Sequence, residues 1–192
     1  MIRETVSRIP QILRRKFSFM LPLPLKYQGA AVVFQEVPDE ISLAINISGC
    51  PRNCEGCHSP HLREYMGYFL RDNIDALIME NSGITCVCFM GGDQNLHELR
   101  KIVRRIRKKW PRLKIALYTG ADDEDFLIKI GEKIKPDYLK FGPYRENRGP
   151  LNKPGTNQRF LKIKYPYGYN SPLEYTMMED LTHLFQIKEL GK

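Results

Sequence analysis

Between residues 41 and 141, short apolar runs rich in β-branched residues alternate with segments whose apolar positions recur at helical spacing. That alternation limits the chain to few architectures. Residues 30–35 and 41–47 read as strands separated by the turn Val37-Pro38-Asp39-Glu40. Residues 71–81 place Ile74, Leu77 and Ile78 on one helical face, and 85–90 form a nearly continuous apolar run ending in Gly91-Gly92. Such a run suits a strand buried on both sides, as in a parallel sheet. A helix over 95–110, a strand over 114–118, a helix over 122–134 and strands over 138–141 and 159–164 continue the pattern. Repeated strand–helix–strand units build right-handed crossovers and parallel pairing. The expected fold is therefore α/β: an open, partial βα barrel with a mainly parallel sheet, because the units are too few to close an eight-fold barrel. Its site should lie at the carboxyl ends of the strands.

A chain of 192 residues fits one domain with a short appendage. The expected division is a basic extension over 1–25, flexible or partly helical, and one domain over 26–192. The net charge of +8 is uneven: residues 1–26 hold six basic residues and one acid. Such a distribution speaks for a solvated tail rather than a nucleic-acid interface. Arg14-Arg15-Lys16 before Phe17 imitates an export signal, but Pro22 and Pro24 interrupt the apolar run almost at once. No segment has the roughly 20 apolar residues of a membrane span. A second basic feature is the outer face of the 95–110 helix, with Arg100, Lys101, Arg104, Arg105, Arg107, Lys108 and Lys109. A solvated face is the plain reading; a docking surface for an acidic electron donor is the sharper one.

The five cysteines are an odd number, and three of them fall within eight positions, a poor disulfide framework. A reducing cytoplasm and a metal-binding role fit better. Gly49-Cys50-Pro51-Arg52-Asn53-Cys54-Glu55-Gly56-Cys57-His58 has the spacing C-x3-C-x2-C. Thiolates are soft ligands that favour iron–sulfur clusters or zinc. A four-iron cluster ordinarily takes four cysteines, so three leave one iron open. Zinc held by Cys50, Cys54, Cys57 and His58 or His61 is the alternative. Cys86 and Cys88 lie on one face of a strand and read as buried small hydrophobes.

With those residues in view, the sequence resembles the radical S-adenosylmethionine (SAM) enzymes. More narrowly, Gly49–Pro60, Phe89-Met90-Gly91-Gly92-Asp93 and Gly155-Thr156-Asn157-Gln158-Arg159 resemble motifs of the activating protein of anaerobic (class III) ribonucleoside-triphosphate reductase. The resemblance spans roughly residues 30–163. It implies a [4Fe–4S] cluster on Cys50, Cys54 and Cys57, with the open iron taking the amino and carboxylate groups of SAM. It further implies that Gly56, Cys57, His58, Gly91, Gly92 and Asp93 surround SAM, with Asp93 accepting from the methionyl ammonium and His58 meeting adenine or making a plain loop hydrogen bond. The activity implied is reductive cleavage of SAM, whose 5′-deoxyadenosyl radical takes hydrogen from a glycine of the reductase. The implied partners are that glycyl radical subunit and a donor such as a flavodoxin. The family's Asp-Gly-Pro-Gly segment is replaced by Gln35–Glu40, and its Asp-Gly-Pro-aromatic segment by Phe141-Gly142-Pro143-Tyr144. Lys140 reads as an exposed or snorkelling lysine, or as a contact for the SAM carboxylate. Asn157, Gln158 and Arg159 either brace the late strand or touch ligand. Two rival functions stand beside the activase: a compact radical SAM enzyme acting on a small molecule, and a non-enzymatic zinc module.

Overall fold

The computed structural model describes residues 22–186. Most of the expected extension at 1–25 lies outside them. Its last residues belong to the fold: the Leu25 amide donates to the buried Glu98 carboxylate at 2.7 Å, and Tyr65 donates to the Pro24 carbonyl.

Among the described residues eight strands form one open sheet: β1 (Lys26–Val33), β2 (Ser42–Ile47), β3 (Tyr68–Phe69), β4 (Cys86–Met90), β5 (Lys114–Tyr118), β6 (Tyr138–Phe141), β7 (Arg159–Lys164) and β8 (Met177–Asp180). Three helices intervene: α1 (Leu70–Glu80), α2 (Leu96–Lys109) and α3 (Glu124–Lys133). The strand order is β3-β1-β2-β4-β5-β6-β7-β8. The central strands β2, β4, β5 and β6 pair in parallel, and every flanking pair is antiparallel. The expectation of a mainly parallel sheet is thus corrected to a mixed one. The three crossovers account for the parallel centre; β1, β7 and β8 arrive through turns and loops without a helix, which permits antiparallel pairing.

Alternation along the strands splits the interior. Leu43, Ile45, Ile47, Val87, Phe89, Ile115 and Leu117 face the helices and join Ile74, Ile78, Leu99, Ile102, Val103, Ile106 and Ile130 in one apolar cluster. On the other face Cys86, Cys88, Ala116, Tyr138 and Phe160 form a second cluster with Val37, Leu151 and Leu181. Among the described residues no α-helix covers that second face. The segment Gln35–Glu40 helps to cover it: Val37 is fully buried there, Tyr118 donates to the Glu36 carbonyl, and Tyr138 donates to Glu40 at 2.8 Å. Cys86 and Cys88 are buried as expected.

Helix α2 opens with Asn95 as its N-cap. Asn95 accepts from the Glu98 amide at 3.1 Å, while the Glu98 carboxylate takes the Asn95 side-chain amide and Leu25. This fixes where the chain leaves β4, and hence where Gly91, Gly92 and Asp93 sit.

Candidate metal centre

The loop after β2 is held at both stems. The Gly49 and Cys50 amides donate to the carbonyls of Glu64 and Leu62 at 3.2 and 3.0 Å, and the Ser48 hydroxyl donates to Met66 at 2.6 Å. Arg63 donates to the Cys54 carbonyl at 2.6 Å. Leu62 is buried in the short 3-10 turn Pro60–Arg63, which anchors the returning strand of the loop. Gly49 and Gly56 take positive φ of 76° and 65°, which lets so polar a stretch fold back tightly.

These ties bring Cys50, Cys54 and Cys57 onto one wall of a cavity of about 170 Å³ at the carboxyl ends of the parallel strands. Gly91 and Asp93 line it from the end of β4, Thr119 and Gly120 from the end of β5, and Met90, Tyr118 and Lys140 from its floor. The floor is a consequence of register. Met90 pairs with Tyr118 and Tyr118 with Lys140, so the three stand abreast on adjacent strands. One rung down are Cys88 and Ala116, small side chains that leave room above them.

Asp93 is the most heavily engaged polar group. Its Oδ2 accepts from Arg52 at 3.0 Å and from the Thr119 hydroxyl at 2.6 Å, while Oδ1 makes no hydrogen bond among the described residues. Gln94 ties the turn back to the cysteine loop by donating to the Ser48 carbonyl at 2.9 Å. Burial pushes the Cys50 thiol up; the Arg52 amide pulls it back, and the charges of Asp93, Cys54 and Cys57 push it up again. Burial also holds the Lys140 ammonium down, to about 8, against the opposing pull of Cys54 and Glu36. The exposed-lysine reading of Lys140 is therefore corrected: it is part-buried in the cavity, because the rung that carries Met90 and Tyr118 carries it too. Burial raises the Cys88 thiol far above its usual range, which keeps it out of the thiolate form that metals need.

The other expected residues fall outside the cavity lining. Gly92, at φ 104°, is buried over Leu25 and Leu99, so it serves the turn itself. Gly56 and His58 turn away from the cavity toward Tyr144: a Cβ on Gly56 would lie 3.2 Å from that ring, and His58 packs on it edge-on at 5.1 Å. Asn157 donates to the Pro143 carbonyl at 2.9 Å and Gln158 to the Gly142 carbonyl at 3.3 Å. Arg159 is exposed, near Asp180. Bracing is thus what Asn157 and Gln158 do: they hold the 142–146 loop, and that loop backs the cysteine loop through Tyr144.

Sequence reading missed Arg52, Thr119 and Tyr118. Only proximity across 41 residues couples Arg52 to Asp93, and no local pattern announces it. The signal that existed was positional, since Tyr118-Thr119-Gly120 ends a strand adjacent to the one that ends in Gly91.

The donor set fits a multi-iron cluster. Among the described residues, no three His, Cys, Asp or Glu side chains converge closely enough to hold one metal ion. A four-iron cluster binds each thiolate through a different iron and does not require its sulfurs to meet at one point. Cys50, Cys54 and Cys57 would hold it, with Arg52, Asp93 and Thr119 beside them. Among the described residues no helix is long and apolar enough to cross a membrane. No curated protein and no solved structure matches the chain. The family of 4Fe-4S single cluster domains matches residues 41–140, which begin just before β2 and end on the cavity-floor residue Lys140. That stretch holds all three cysteines and both glycines of the turn, and it exceeds half of the sequence; the chain belongs to the 4Fe-4S single cluster domain family.

Proposed function

We propose that this protein is a radical SAM activating enzyme whose open sheet is a partial barrel of the radical SAM type. In this reading it generates a glycyl radical on an anaerobic ribonucleoside-triphosphate reductase, receiving electrons from a donor such as a flavodoxin. The observation that carries it is the meeting of three cysteines with Gly91 and Asp93 in one cavity at the strand ends. When bound, the cluster and SAM supply the reductive cleavage. The chain supplies position and charge. Cys50, Cys54 and Cys57 would hold the cluster. Asp93 keeps Oδ2 on Arg52 and Thr119 and offers Oδ1 to the methionyl ammonium, a charge-assisted bond. Gly91 lets the backbone approach without a Cβ. Lys140, ammonium-bearing and part-buried, faces the same space and suits the carboxylate. Tyr118 and Met90 close the floor and exclude water.

The test is anaerobic reconstitution with iron and sulfide, followed by a search for 5′-deoxyadenosine from SAM, with and without the reductase. Brown protein with about four irons per chain, 5′-deoxyadenosine, and a glycyl radical signal on the reductase are expected. A full cluster without 5′-deoxyadenosine would leave an iron–sulfur protein of another kind. SAM cleavage that transfers no radical to the reductase would favour the compact enzyme acting on a small molecule.

A further inference from the structure

Helix α2 carries cations on two flanks, and the flanks are neutralised unequally. Toward α1, Arg105 and Lys109 both reach Asp75, Arg105 at 2.7 Å. Toward α3, Arg100 and Arg104 make no ion pair among the described residues. They line a cavity of about 320 Å³ together with Arg107, Lys133 and Lys135, and among the described residues Glu132 is the single carboxylate in its lining.

The floor of this cavity is built rather than splayed. The Arg107 guanidinium stacks on Tyr169 with 3.6 Å to the ring centre, donates to the Ile134 carbonyl at 3.0 Å and also to that of Lys135. The nearest carboxylate to it, Asp137, is 3.8 Å away and already accepts from Tyr169 and the Ile115 amide. Lys135 takes φ 52°, a left-handed conformation that glycine or asparagine usually supplies after a helix, and its amine donates to the Ser171 carbonyl. Arg100, Arg104, Arg107, Lys133 and Lys135 are thus gathered around two acids, Glu132 and Asp137. Like charges facing each other across a cleft repel, and a concave wall focuses their field. An anion relieves both.

We infer that this cavity binds a small phosphate-bearing anion of the pyrophosphate type, free or at the end of a small molecule. Arg100 and Arg104, one turn apart, present forked donors to its oxygens, and Lys133 adds a point charge. A surplus of three positive charges, five cations against Glu132 and Asp137, suits a polyanion better than a single carboxylate. The volume equals about ten water molecules, room for two phosphates. The inference does not depend on the cluster chemistry: Arg107 lies about 18 Å along α2 from the turn that carries Asp93.

The experiment is calorimetric titration of the full, cluster-loaded chain at low salt with pyrophosphate, inorganic phosphate, a nucleoside diphosphate and polyglutamate. Pyrophosphate should bind, with phosphate weaker, and a tighter nucleoside diphosphate would show that the small molecule is the source. Replacing both exposed arginines (Arg100→Gln with Arg104→Gln) should weaken pyrophosphate about tenfold or more. The same charge loss at Arg148→Gln with Lys153→Gln, in the loop outside the cavity lining, should change it by less than about twofold. Pyrophosphate should also slow acetylation of Lys133 in the unaltered chain, a readout that needs no variant. Absence of binding, equal binding by the arginine variant, unprotected Lys133, or preference for polyglutamate would overturn the inference; the last would mark the face as a dock for an acidic protein.

Discussion

The two faces of the central sheet are made of different materials. Toward the helices the strands present Leu, Ile, Val and Phe, closed off by three amphipathic helices in one continuous apolar cluster. Toward the other side they present Ala44, Cys86, Cys88 and Ala116 beside the aromatic Tyr138 and Phe160, and the cover is assembled from Val37, Leu151 and Leu181 out of separate loops. Large side chains fill the first face and interlock with the helices in one apolar cluster. Small side chains on the second leave space at one end, and the three cysteines stand beside that space. Stability and chemistry are thus assigned to opposite surfaces of the same strands.

The largest effect expected from breaking this division is on the chemical side. Cys54→Ala should take iron from about four per chain to near zero while the metal-free protein melts as before; iron and sulfide analysis beside a melting curve decides it, and an unchanged iron content would remove Cys54 from the site. Next comes Phe89→Ala on the helix side, fully buried, which should cost about 3–5 kcal/mol in chemical denaturation yet leave iron per folded chain unchanged. If iron fell in step with stability, the faces would not be separable. Gly142→Ala tests the brace between them. A Cβ there would meet the Asn157 carbonyl at 3.0 Å at φ 99°, so a loss of about 1–2 kcal/mol is expected. Hydrogen exchange should also quicken at residues 56–58, and exchange confined to residues 142–144 would show that the brace stops short of the cysteine loop.

The smallest effect belongs to the outer seam of the helix side. Burial pushes the Asp75 carboxyl up, and the hydrogen bonds from Lys109 and Arg105 more than reverse it, so it lies below the usual range. As pH falls the unfolded chain takes up this proton first. Asp75 therefore stabilises the fold above about pH 4, and that contribution fades as pH drops through the folded-state value. Asp75→Asn should lose about 0.5–1 kcal/mol at neutral pH and flatten the acid limb of the stability curve. An acid limb identical to that of the parent would assign the pair no energetic role.

What the sequence made legible follows the same division. The helix side was readable because its signal is periodic: β5, β6 and β7 match the expected bounds, and α1, α2 and α3 fall within two residues of theirs. β1 begins at Lys26 rather than 30, because Tyr27 pairs with Ile47 although its neighbours show no apolar run. β8 has four exposed residues and so carries no burial pattern at all. At the site, C-x3-C-x2-C and Gly91-Gly92 are local signals and were visible. The pairing of Arg52 with Asp93, the stance of Lys140 and the bracing by Asn157 and Gln158 arise from contacts between distant segments, which no window of sequence contains.

The side-by-side stance of Met90, Tyr118 and Lys140 has an evolutionary corollary. Because strand residues point to alternate sides, adding or deleting one residue within β4, β5 or β6 would turn the corresponding side chain away from its two companions and into the helices. Length variation among descendants of this chain should therefore collect in the connections, such as the stretch from 143 to 158, and spare those three strands. A lineage that did shorten one of them would have to rebuild the whole row, not just the altered strand.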